Sequence, residues 1–314
     1  MRYTSLFICL ILLPSLNFLQ AQDRAQDQEA DKMVVCLLGD PQLVMVERTP
    51  EYVDWAMKDI AGLEHDFIAV LGDLAQNRAH FYKDYNEAVV DKAVKPVFSL
   101  AGNGDVGAGL QAYREGTGLP LYYSFYLRGI RFIFLSTVYY TGEFNHICNL
   151  GEKQLKWLRR ELRSDTLSTT IVFSHPPLYE TTYKSEYRDK LKAPGSMYLG
   201  ESLELKEMFM SYRNVKIFGH GHLHYSYGSE DRHGRGGYCL ENGLLHVSVG
   251  GTAQNKGSSF LVIEKNRVTL KVRNHEKQTW LDQYEYSMGL ESSMSDEEGN
   301  PAAVLEEIRN QREL

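Results

Sequence analysis

Short apolar runs alternate along the chain with segments whose apolar residues recur at helical spacing. In PEYVDWAMKDIAGLE the residues Val53, Met57, Ile60 and Leu63 are spaced to form one face of a helix. Apolar strands precede and follow it in MVVCLLGD and DFIAVLGD, and a second helical pattern, FYKDYNEAVVDKA, leads into the strand of KPVFSLAGN. This alternation of strand and helix is typical of parallel βαβ units.

The middle and the end of the chain are richer in strands. LYYSFYLRGIRFIFLSTVYY predicts two strands around a turn at Arg128 and Gly129, and GEKQLKWLRRELRS predicts a helix with Leu155, Leu158 and Leu162 on one face. TTIVFSHPP and VKIFGHGH are strands separated by a helix in SLELKEMFMSY, and LLHVSVGG, SSFLVIEK and RVTLKVRN predict late strands with hairpin character. The pattern predicts an α/β fold in one domain, residues 33–275, followed by an acidic C-terminal extension over residues 276–314.

The first residues have the layout of a secretory signal peptide. MRYTSLFICLILLPSLNFLQAQ begins with the basic Arg2, continues into an apolar core and reaches the small residue Ala21, so residues 1–21 are predicted to be cleaved. Pro14 interrupts the apolar run well short of a membrane-spanning helix. The predicted location is therefore periplasmic or secreted, and the mature chain is predicted to lack a membrane span.

Charge and cysteine content narrow the possible partners. The formal net charge of −7 disfavours nucleic acid, which usually requires a basic surface. Cys36 lies in an apolar strand and is predicted to be a core residue, whereas Cys148 and Cys239 either pair or stay reduced. C-x-x-C spacing is absent from the sequence, which makes a thiolate zinc site improbable. The oligomeric state is left open.

Five predicted strands end in residues that can bind a metal ion. Ligands gather at the carboxyl ends of strands in α/β sheets, so these side chains are expected to meet at one place. Each one singly has a structural explanation, such as the turn that Asn-Gly-Asp commonly forms, but the full set points to a site. Carboxylate, imidazole and amide groups suit zinc, iron or manganese. The candidate ligands are Asp40, Gln42, Asp73, Asn103, His175, His220 and His222.

The order of these motifs resembles that of the calcineurin-like metallophosphoesterase family. The motifs read Asp-Pro-Gln at 40–42, Gly-Asp-Leu-Ala-Gln at 72–76, Gly-Asn-Gly-Asp at 102–105, a histidine at 175 and Gly-His-Gly-His at 219–222. The first motif resembles the branch that includes calcineurin-like phosphoesterase domain-containing phosphatases. The resemblance implies a four-layer α/β/β/α sandwich of two mixed β-sheets flanked by helices.

The resemblance also implies a metal-dependent phosphoric ester hydrolase with two divalent or trivalent ions (Mn, Fe or Zn). The first ion would be bound by Asp40, Gln42 and His222, the second by Asn103, His175 and His220, with Asp73 bridging them. A metal-bridging hydroxide would attack the phosphorus of a phosphate mono- or diester. The residues implied to act in catalysis are Asp73, Asn103, Asp105 and His175.

Three positions depart from the family pattern. Gln42 replaces a histidine ligand, Gln76 replaces a supporting carboxylate, and Gly104 replaces the histidine that assists the leaving group. General acid catalysis typically contributes about 10²–10⁴-fold, so the chain either uses leaving groups that need no acid or finds one elsewhere, with His80 and His224 as candidates. The alternative is a degenerate phosphoesterase that binds metal and acts as a binding protein, and a nuclease is disfavoured by the charge.

Overall fold

The first of two large β-sheets contains the three strands of the predicted βαβ units. The computed structural model describes residues 32–43, 49–76, 78–142, 145–182, 197–224, 237–252, 256–290, 294 and 299–311, so the predicted signal peptide lies outside the described residues. This sheet has the order β14-β13-β12-β1-β2-β3, with β15 also paired to β13. Strands β1, β2 and β3 are parallel, and β12 and β13 form an antiparallel hairpin. The strands are β1 Lys32–Leu38, β2 Phe67–Val70, β3 Val97–Ser99, β12 Gly257–Glu264, β13 Arg267–Asn274, β14 Thr279–Trp280 and β15 Tyr286–Gly289.

The second sheet has six strands in the order β10-β11-β9-β8-β5-β4. Its four inner strands are parallel, and β4 and β10 pair antiparallel at its two edges. A separate two-stranded sheet joins β6 and β7. The strands are β4 Tyr123–Leu127, β5 Ile130–Phe134, β6 Val138–Gly142, β7 Asn145–Cys148, β8 Thr170–Ser174, β9 Val215–His220, β10 Tyr238–Glu241 and β11 Leu244–Ser248.

Seven α-helices connect or flank these strands in the described part of the chain. The second predicted helical segment is confirmed, but it continues from an α-helix into a π-helical turn at Asn86–Val90. The turn predicted for Asn-Gly-Asp is wrong, because a short helix begins there. The helices are α1 Thr49–Ala61, α2 Phe81–Tyr85, α3 Asn103–Ala108, α4 Leu110–Thr117, α5 Gly151–Ser164, α6 Ser202–Ser211 and α7 Pro301–Asn310.

Aromatic side chains fill the space between the two sheets. The ring of Phe67 on β2 contacts Phe132 on β5 edge-to-face, with centroids 5.1 Å apart, and Phe98 stacks on Phe125 at 4.6 Å. Burial of such rings is a major part of the free energy that holds two sheets together. The predicted α/β fold of two mixed sheets with flanking helices is confirmed.

Helices cover the other faces of the sheets. The apolar side of α5, which includes Leu158, packs with Phe209 of α6 against Phe218 of the second sheet, and Val53 and Met57 of α1 belong to the core on the first sheet. Residues 33–314 form one compact unit.

The cysteines at positions 36, 148 and 239 lie on three different strands. Cys36 is fully buried on β1, as predicted. Cys148 on β7 and Cys239 on β10 belong to different sheets and are not joined by a disulfide. Within the described ranges, every helix is too short or too polar to cross a membrane.

Candidate metal centre

The candidate ligands lie at the carboxyl ends of parallel strands from both sheets. Asp40, Asp73 and Asn103 follow β1, β2 and β3 of the first sheet, while His175 follows β8 and His220 ends β9 of the second. The two carboxyl edges meet, because the loop after β9 donates backbone hydrogen bonds to the Asp40 carboxylate. Apolar strands therefore bring side chains from distant parts of the chain to one place.

The His175 ring is at the centre of this group. Its Nδ1 lies 2.8 Å from the carbonyl oxygen of Leu71, which can only accept, so Nδ1 carries the proton and Nε2 points inward with its lone pair. Around Nε2 lie Asn103 Oδ1 at 3.0 Å, His222 Nδ1 at 3.1 Å and Asp73 Oδ1 at 3.4 Å. The ring is thus fixed by the backbone and presents its Nε2 to three other atoms that could bind a metal ion.

A second group of polar atoms surrounds the Asp40 carboxylate. Oδ1 lies 2.9 Å from His224 Nε2, and the backbone N–H of His222 donates to both carboxylate oxygens at 3.2 and 3.0 Å. Ligand atoms of Asp40, Asp73 and His224 all lie within 4.8 Å of one another. His224 therefore lies beside Asp40, a predicted ligand of the first ion.

These distances fit metal ions better than hydrogen bonds. One imidazole lone pair serves one donor, yet three ligand atoms surround His175 Nε2. Ligands about 2.0–2.2 Å from a common ion lie roughly 2.8–3.6 Å apart, and this is the spacing of Asn103 Oδ1 and Asp73 Oδ1 from His175 Nε2. Burial opposes ionisation of Asp73, but the charges of His175 and His222, when those rings are protonated, and the N–H of Gly104 hold its pKa below the ordinary range. A bound cation would take the place of those charges beside the carboxylate.

Backbone strain is concentrated at the same place. Ten non-glycine residues with positive φ occur among the described residues, and five of them belong to this cluster. Such conformations cost about 1–3 kcal/mol each and persist where the surroundings enforce them, commonly at functional sites. The five are Asp40 (φ 43°), Gln42 (φ 34°), Asp73 (φ 55°), His222 (φ 69°) and His224 (φ 50°).

Comparison with known proteins now decides the family. A sequence profile described as calcineurin-like phosphoesterase matches residues 33–226, which is more than half of the chain. The chain belongs to the calcineurin-like phosphoesterase family. A search of curated proteins finds no significant match.

Solved structures support the same fold for this calcineurin-like phosphoesterase. A dimetal phosphatase from Danio rerio has a TM-score of 0.60 at 13% identity, covering 82% of this chain and 99% of that one. Purple acid phosphatase PPD1 from yellow lupin (Lupinus luteus) has a TM-score of 0.58 at 14% identity, covering 82% of this chain and 54% of that one. GAP50, the anchor in the inner membrane complex of Plasmodium, has a TM-score of 0.58 at 14% identity, covering 90% and 95%. At sequence identities of 13–14%, the similarity to these structures shows a shared fold and nothing more.

Asp105 of this calcineurin-like phosphoesterase clamps two loops together. Its carboxylate accepts backbone N–H groups from Leu74 at 3.1 Å, Ala75 at 2.9 Å and Gly102 at 2.8 Å, and also the Tyr82 hydroxyl at 3.1 Å. Burial, with the charge of Asp73, raises the pKa of Asp105 to about 7, against the opposing effect of the three N–H donors. The bond to Gly102 also caps helix α3, which explains why a helix rather than a turn begins at residue 103.

Gly104 lies in a narrow space beside the Asp73 carboxylate. Its N–H donates to Asp73 Oδ1 at 2.8 Å. A Cβ at this position would lie 3.0 Å from Gln76 Oε1, 3.1 Å from the Ala75 carbonyl oxygen and 3.3 Å from Asp73 Oδ1. A side chain here therefore requires its neighbours to move by a few tenths of an ångström.

His220 is close in sequence to the other ligands, but its ring has partners of its own. Nε2 lies 2.6 Å from Thr182 Oγ1, and Nδ1 lies 2.9 Å from the Gly221 carbonyl oxygen. Burial lowers the pKa of His220 to about 4, which keeps the ring neutral near pH 7. Its role as a ligand of the second ion stays a prediction, and binding would require Nε2 to leave the Thr182 hydroxyl.

The structure thus brings most of the predicted ligands into direct contact. Gln42 belongs to this group through its amide Nε2, which donates to Asp73 Oδ2 at 2.5 Å. The contact between Thr182 and His220 has no signal in the sequence, whereas His224 could have been found from its spacing, because Gly-His-Gly-His continues as Leu-His. The residues in mutual contact are Asp40, Gln42, Asp73, Asn103, His175, His222 and His224.

Proposed function

We propose that the chain is a two-metal hydrolase of phosphate mono- or diesters that carries out its reaction without a histidine acid at position 104. The observation that carries this proposal is the convergence of ligand atoms on His175 Nε2 at 3.0–3.4 Å. When bound, two ions would lower the pKa of water, orient the phosphoryl group and neutralise its charge. The nature of the ions, Mn, Fe or Zn, belongs to the proposal.

The chain's own residues would divide this task. In the proposal Asp40, Gln42 and His222 hold one ion and Asn103, His175 and His220 the other, with Asp73 between them. His175 is held in its binding tautomer by the Leu71 carbonyl. Asp105 would not move a proton in the reaction. Its bonds to Leu74, Ala75 and Gly102 keep the Asp73 and Asn103 loops at a fixed separation.

Gly104 would define the substrate class. It contributes only a backbone N–H, which is already given to Asp73 Oδ1, so position 104 offers no proton to a leaving oxygen. Removal of a general acid typically costs about 10²–10⁴-fold for leaving groups that need one. We therefore expect fast hydrolysis of esters whose leaving oxygen is phenol-like or belongs to a phosphate, and slow hydrolysis of alkyl esters.

The test is metal content followed by hydrolysis of matched aryl and alkyl phosphate mono- and diesters with added Mn²⁺ or Zn²⁺. We expect two bound ions per chain and an aryl preference that shrinks in Gly104→His, with Gly104→Ala as the control for crowding near Ala75. Alkyl esters hydrolysed as fast as aryl esters by the natural chain would contradict the role given to Gly104. Absence of bound metal would contradict the two-metal function itself.

A second candidate is a metal-binding protein without turnover, which Gly104 favours because the acid step has no side chain there. GAP50, which shares the fold, is named as an anchor. Two bound ions with no hydrolysis of either ester class would support this candidate.

We also propose that the protein is exported, on the layout of residues 1–21 with Arg2, the apolar core and Ala21. N-terminal sequencing of the protein from its native host tests this. A mature N-terminus directly after residue 21 is expected, and retention of Met1 would contradict it.

A further inference from the structure

A cavity separate from the candidate metal centre lies at one edge of the first sheet. Strand β3 forms that edge, and its residues Val97 and Ser99 line the cavity, which has a volume of about 130 Å³. The other walls come from the π-helical turn after α2, from the end of α4 and from Arg309 of α7. A cavity of about 150 Å³ can bind benzene, so a small organic molecule would fit here.

The inner wall of this cavity is apolar, and its mouth carries two opposite charges. Val97 and Leu119 are buried on the inner wall, whereas Asp91 and Arg309 line the cavity with exposed side chains. Within the described ranges, neither the Asp91 carboxylate nor the Arg309 guanidinium forms an ion pair or a hydrogen bond with another protein group. A ligand that carries both a positive and a negative group would therefore find a partner for each.

The π-helical turn Asn86–Val90 determines where Asp91 lies. The N–H of Asp91 donates to the Asn86 carbonyl oxygen, five residues earlier, at 2.8 Å, and Asn86 Nδ2 donates to the Gly116 carbonyl oxygen of α4 at 2.9 Å. Such wide turns are rare and are frequent at functional sites. Asn86, Val90 and Asp91 all line the cavity, so the turn forms one of its walls and is fixed to α4.

Arg309 reaches the cavity across a glycine at the end of α4. Gly118 follows that helix with a φ of 70°, and a Cβ there would lie 3.5 Å from Arg309 Nε and 3.7 Å from its Cδ and Cγ. The arginine stem therefore rests on the end of α4. The preceding residue, Ile308, is buried in the core and holds α7 in this position.

The Tyr85 hydroxyl gives an independent indication that the cavity wall is incomplete. Tyr85 lines the cavity and is buried, and its hydroxyl lacks a hydrogen-bond partner among the described residues. Buried polar groups nearly always have a partner in folded proteins. A polar atom of a bound molecule would supply the missing one.

We propose that this cavity binds a small aliphatic α-amino acid, with its carboxylate at Arg309 and its ammonium group at Asp91. The aliphatic side chain would pack on Val97 and Leu119. A guanidinium forms paired hydrogen bonds with a carboxylate, and an ammonium group donates to one. A simple anion is less suited, because it would meet the Asp91 carboxylate as a like charge, and a simple amine would meet Arg309 in the same way.

The experiment measures binding of L-alanine, L-valine and L-leucine to the purified protein by calorimetry. Two analogues of the tightest binder follow, one without the ammonium group and one without the carboxylate. Arg309→Gln and Asp91→Asn each remove one charged partner. Arg163→Gln on α5 and Asp84→Asn on α2 are the matched controls, because both residues are exposed and lie outside the cavity. Circular dichroism of each variant checks that the fold is kept.

At least one of the amino acids should bind, and each analogue that lacks one charge should bind at least about 10-fold more weakly, as expected when a hydrogen bond to a charged group is lost. Arg309→Gln and Asp91→Asn should weaken binding by a similar factor, and the controls should keep the dissociation constant of the natural chain. The inference is overturned if none of the three amino acids binds, if the analogue without an ammonium group binds as tightly as its parent, or if either variant binds like the natural chain. The measurement does not involve the metal ions, so its failure would leave the proposed two-metal function untouched.

Discussion

Asp59 on helix α1 and Asp73 at the metal centre are both buried carboxylates with a histidine neighbour, but they meet different partners. Asp59 accepts two bonds from Arg273, at 2.7 and 2.8 Å, and one from His275 Nδ1 at 2.9 Å. His275 Nε2 in turn lies 2.8 Å from the Ser258 hydroxyl. We call Asp59, Ser258, Arg273 and His275 the closed network, because the Asp59 carboxylate and both nitrogens of the His275 ring have hydrogen-bond partners within it.

The candidate metal centre lacks this balance of donors and acceptors. Asp73 Oδ1 faces His175 Nε2 at 3.4 Å, and the same nitrogen faces Asn103 Oδ1 at 3.0 Å. Lone pairs that converge without enough protons are stabilised by a cation, whereas a balanced network needs none. The order acid, imidazole and hydroxyl in the closed network is also that of a nucleophilic triad, but Ser258 is fully buried. Donor–acceptor balance therefore separates a structural cluster from a functional one better than residue type does.

The largest effect on stability should come from the closed network. Asp59→Ala leaves the buried Arg273 guanidinium without its carboxylate, which typically costs about 3–5 kcal/mol in the free energy of unfolding. Urea denaturation of the metal-free protein measures this. Asp54→Ala is the control, because Asp54 lies on the same helix and pairs with Lys58 at 2.6 Å near the surface, where about 1 kcal/mol or less is expected. Equal losses in the two variants would contradict the comparison.

Asp73→Asn should affect hydrolysis strongly and the free energy of unfolding little, which is the opposite of the effect expected for Asp59→Ala. Removal of the proposed bridging carboxylate should lower hydrolysis of an aryl phosphate on the order of 10³-fold, since metal ions contribute several kcal/mol of charge stabilisation. The free energy of unfolding of the metal-free variant should fall much less than in Asp59→Ala. The amide keeps an acceptor oxygen for the Gly104 N–H, although the depressed pKa of Asp73 means that its charge stabilises the folded state. Initial rates with Mn²⁺ and urea denaturation without metal give the two readouts. A stability loss as large as that of Asp59→Ala would contradict this.

The sequence predicts the acceptors of the metal centre because each follows an apolar strand. Asp40, Asp73 and His175 could be placed together from strand ends alone, and the resemblance supplied the fold. The helix at residue 103 could not be predicted, because it depends on the bond from the Gly102 N–H to Asp105, and Asp105 is held in turn by the distant Leu74. A long-range contact of Asp105 therefore determines the conformation here, and not the turn preference of Asn-Gly-Asp.

The closed network could not be predicted either. Asp59 and His275 are 216 residues apart and neither lies in a recognisable motif. His224 has a signal in its spacing after His222, but its contact with Asp40 depends on how the loop after β9 meets the end of β1. What the sequence lacked in each case was the relative position of two segments that the core brings together.

Asp105→Asn tests whether a buried carboxylate beside the metal centre behaves like one in the closed network. The amide would present a donor to one of the three backbone N–H groups that Asp105 accepts. Leaving one such group unsatisfied costs about 1–3 kcal/mol in the free energy of unfolding. Urea denaturation should show this loss with and without metal, and Tyr82→Phe, which removes only the 3.1 Å hydroxyl bond, should lose less. An unchanged midpoint in Asp105→Asn would mean that the clamp does not hold the loops.

The smallest effect should be the pH dependence of the closed network. Burial lowers the pKa of His275 below its ordinary value of 6.5, although Asp59 opposes this. Below about pH 6.5 the unfolded chain therefore binds a proton that the folded chain does not, and the free energy of unfolding falls as the pH falls. The pKa of Asp59 is also depressed, but its contribution is lost only at more acidic pH.

His275→Gln should reduce this dependence between pH 6.5 and 5. The slope of the free energy of unfolding should decrease by up to about 1.4 kcal/mol per pH unit, which is the limit for one proton. Burial also lowers the pKa values of His220, to about 4, and of His246, to about 3, so part of the slope should remain. His80→Gln, at an exposed histidine, should leave the slope unchanged. If His275→Gln and His80→Gln give the same slope, His275 already protonates freely in the folded protein and the network is not closed.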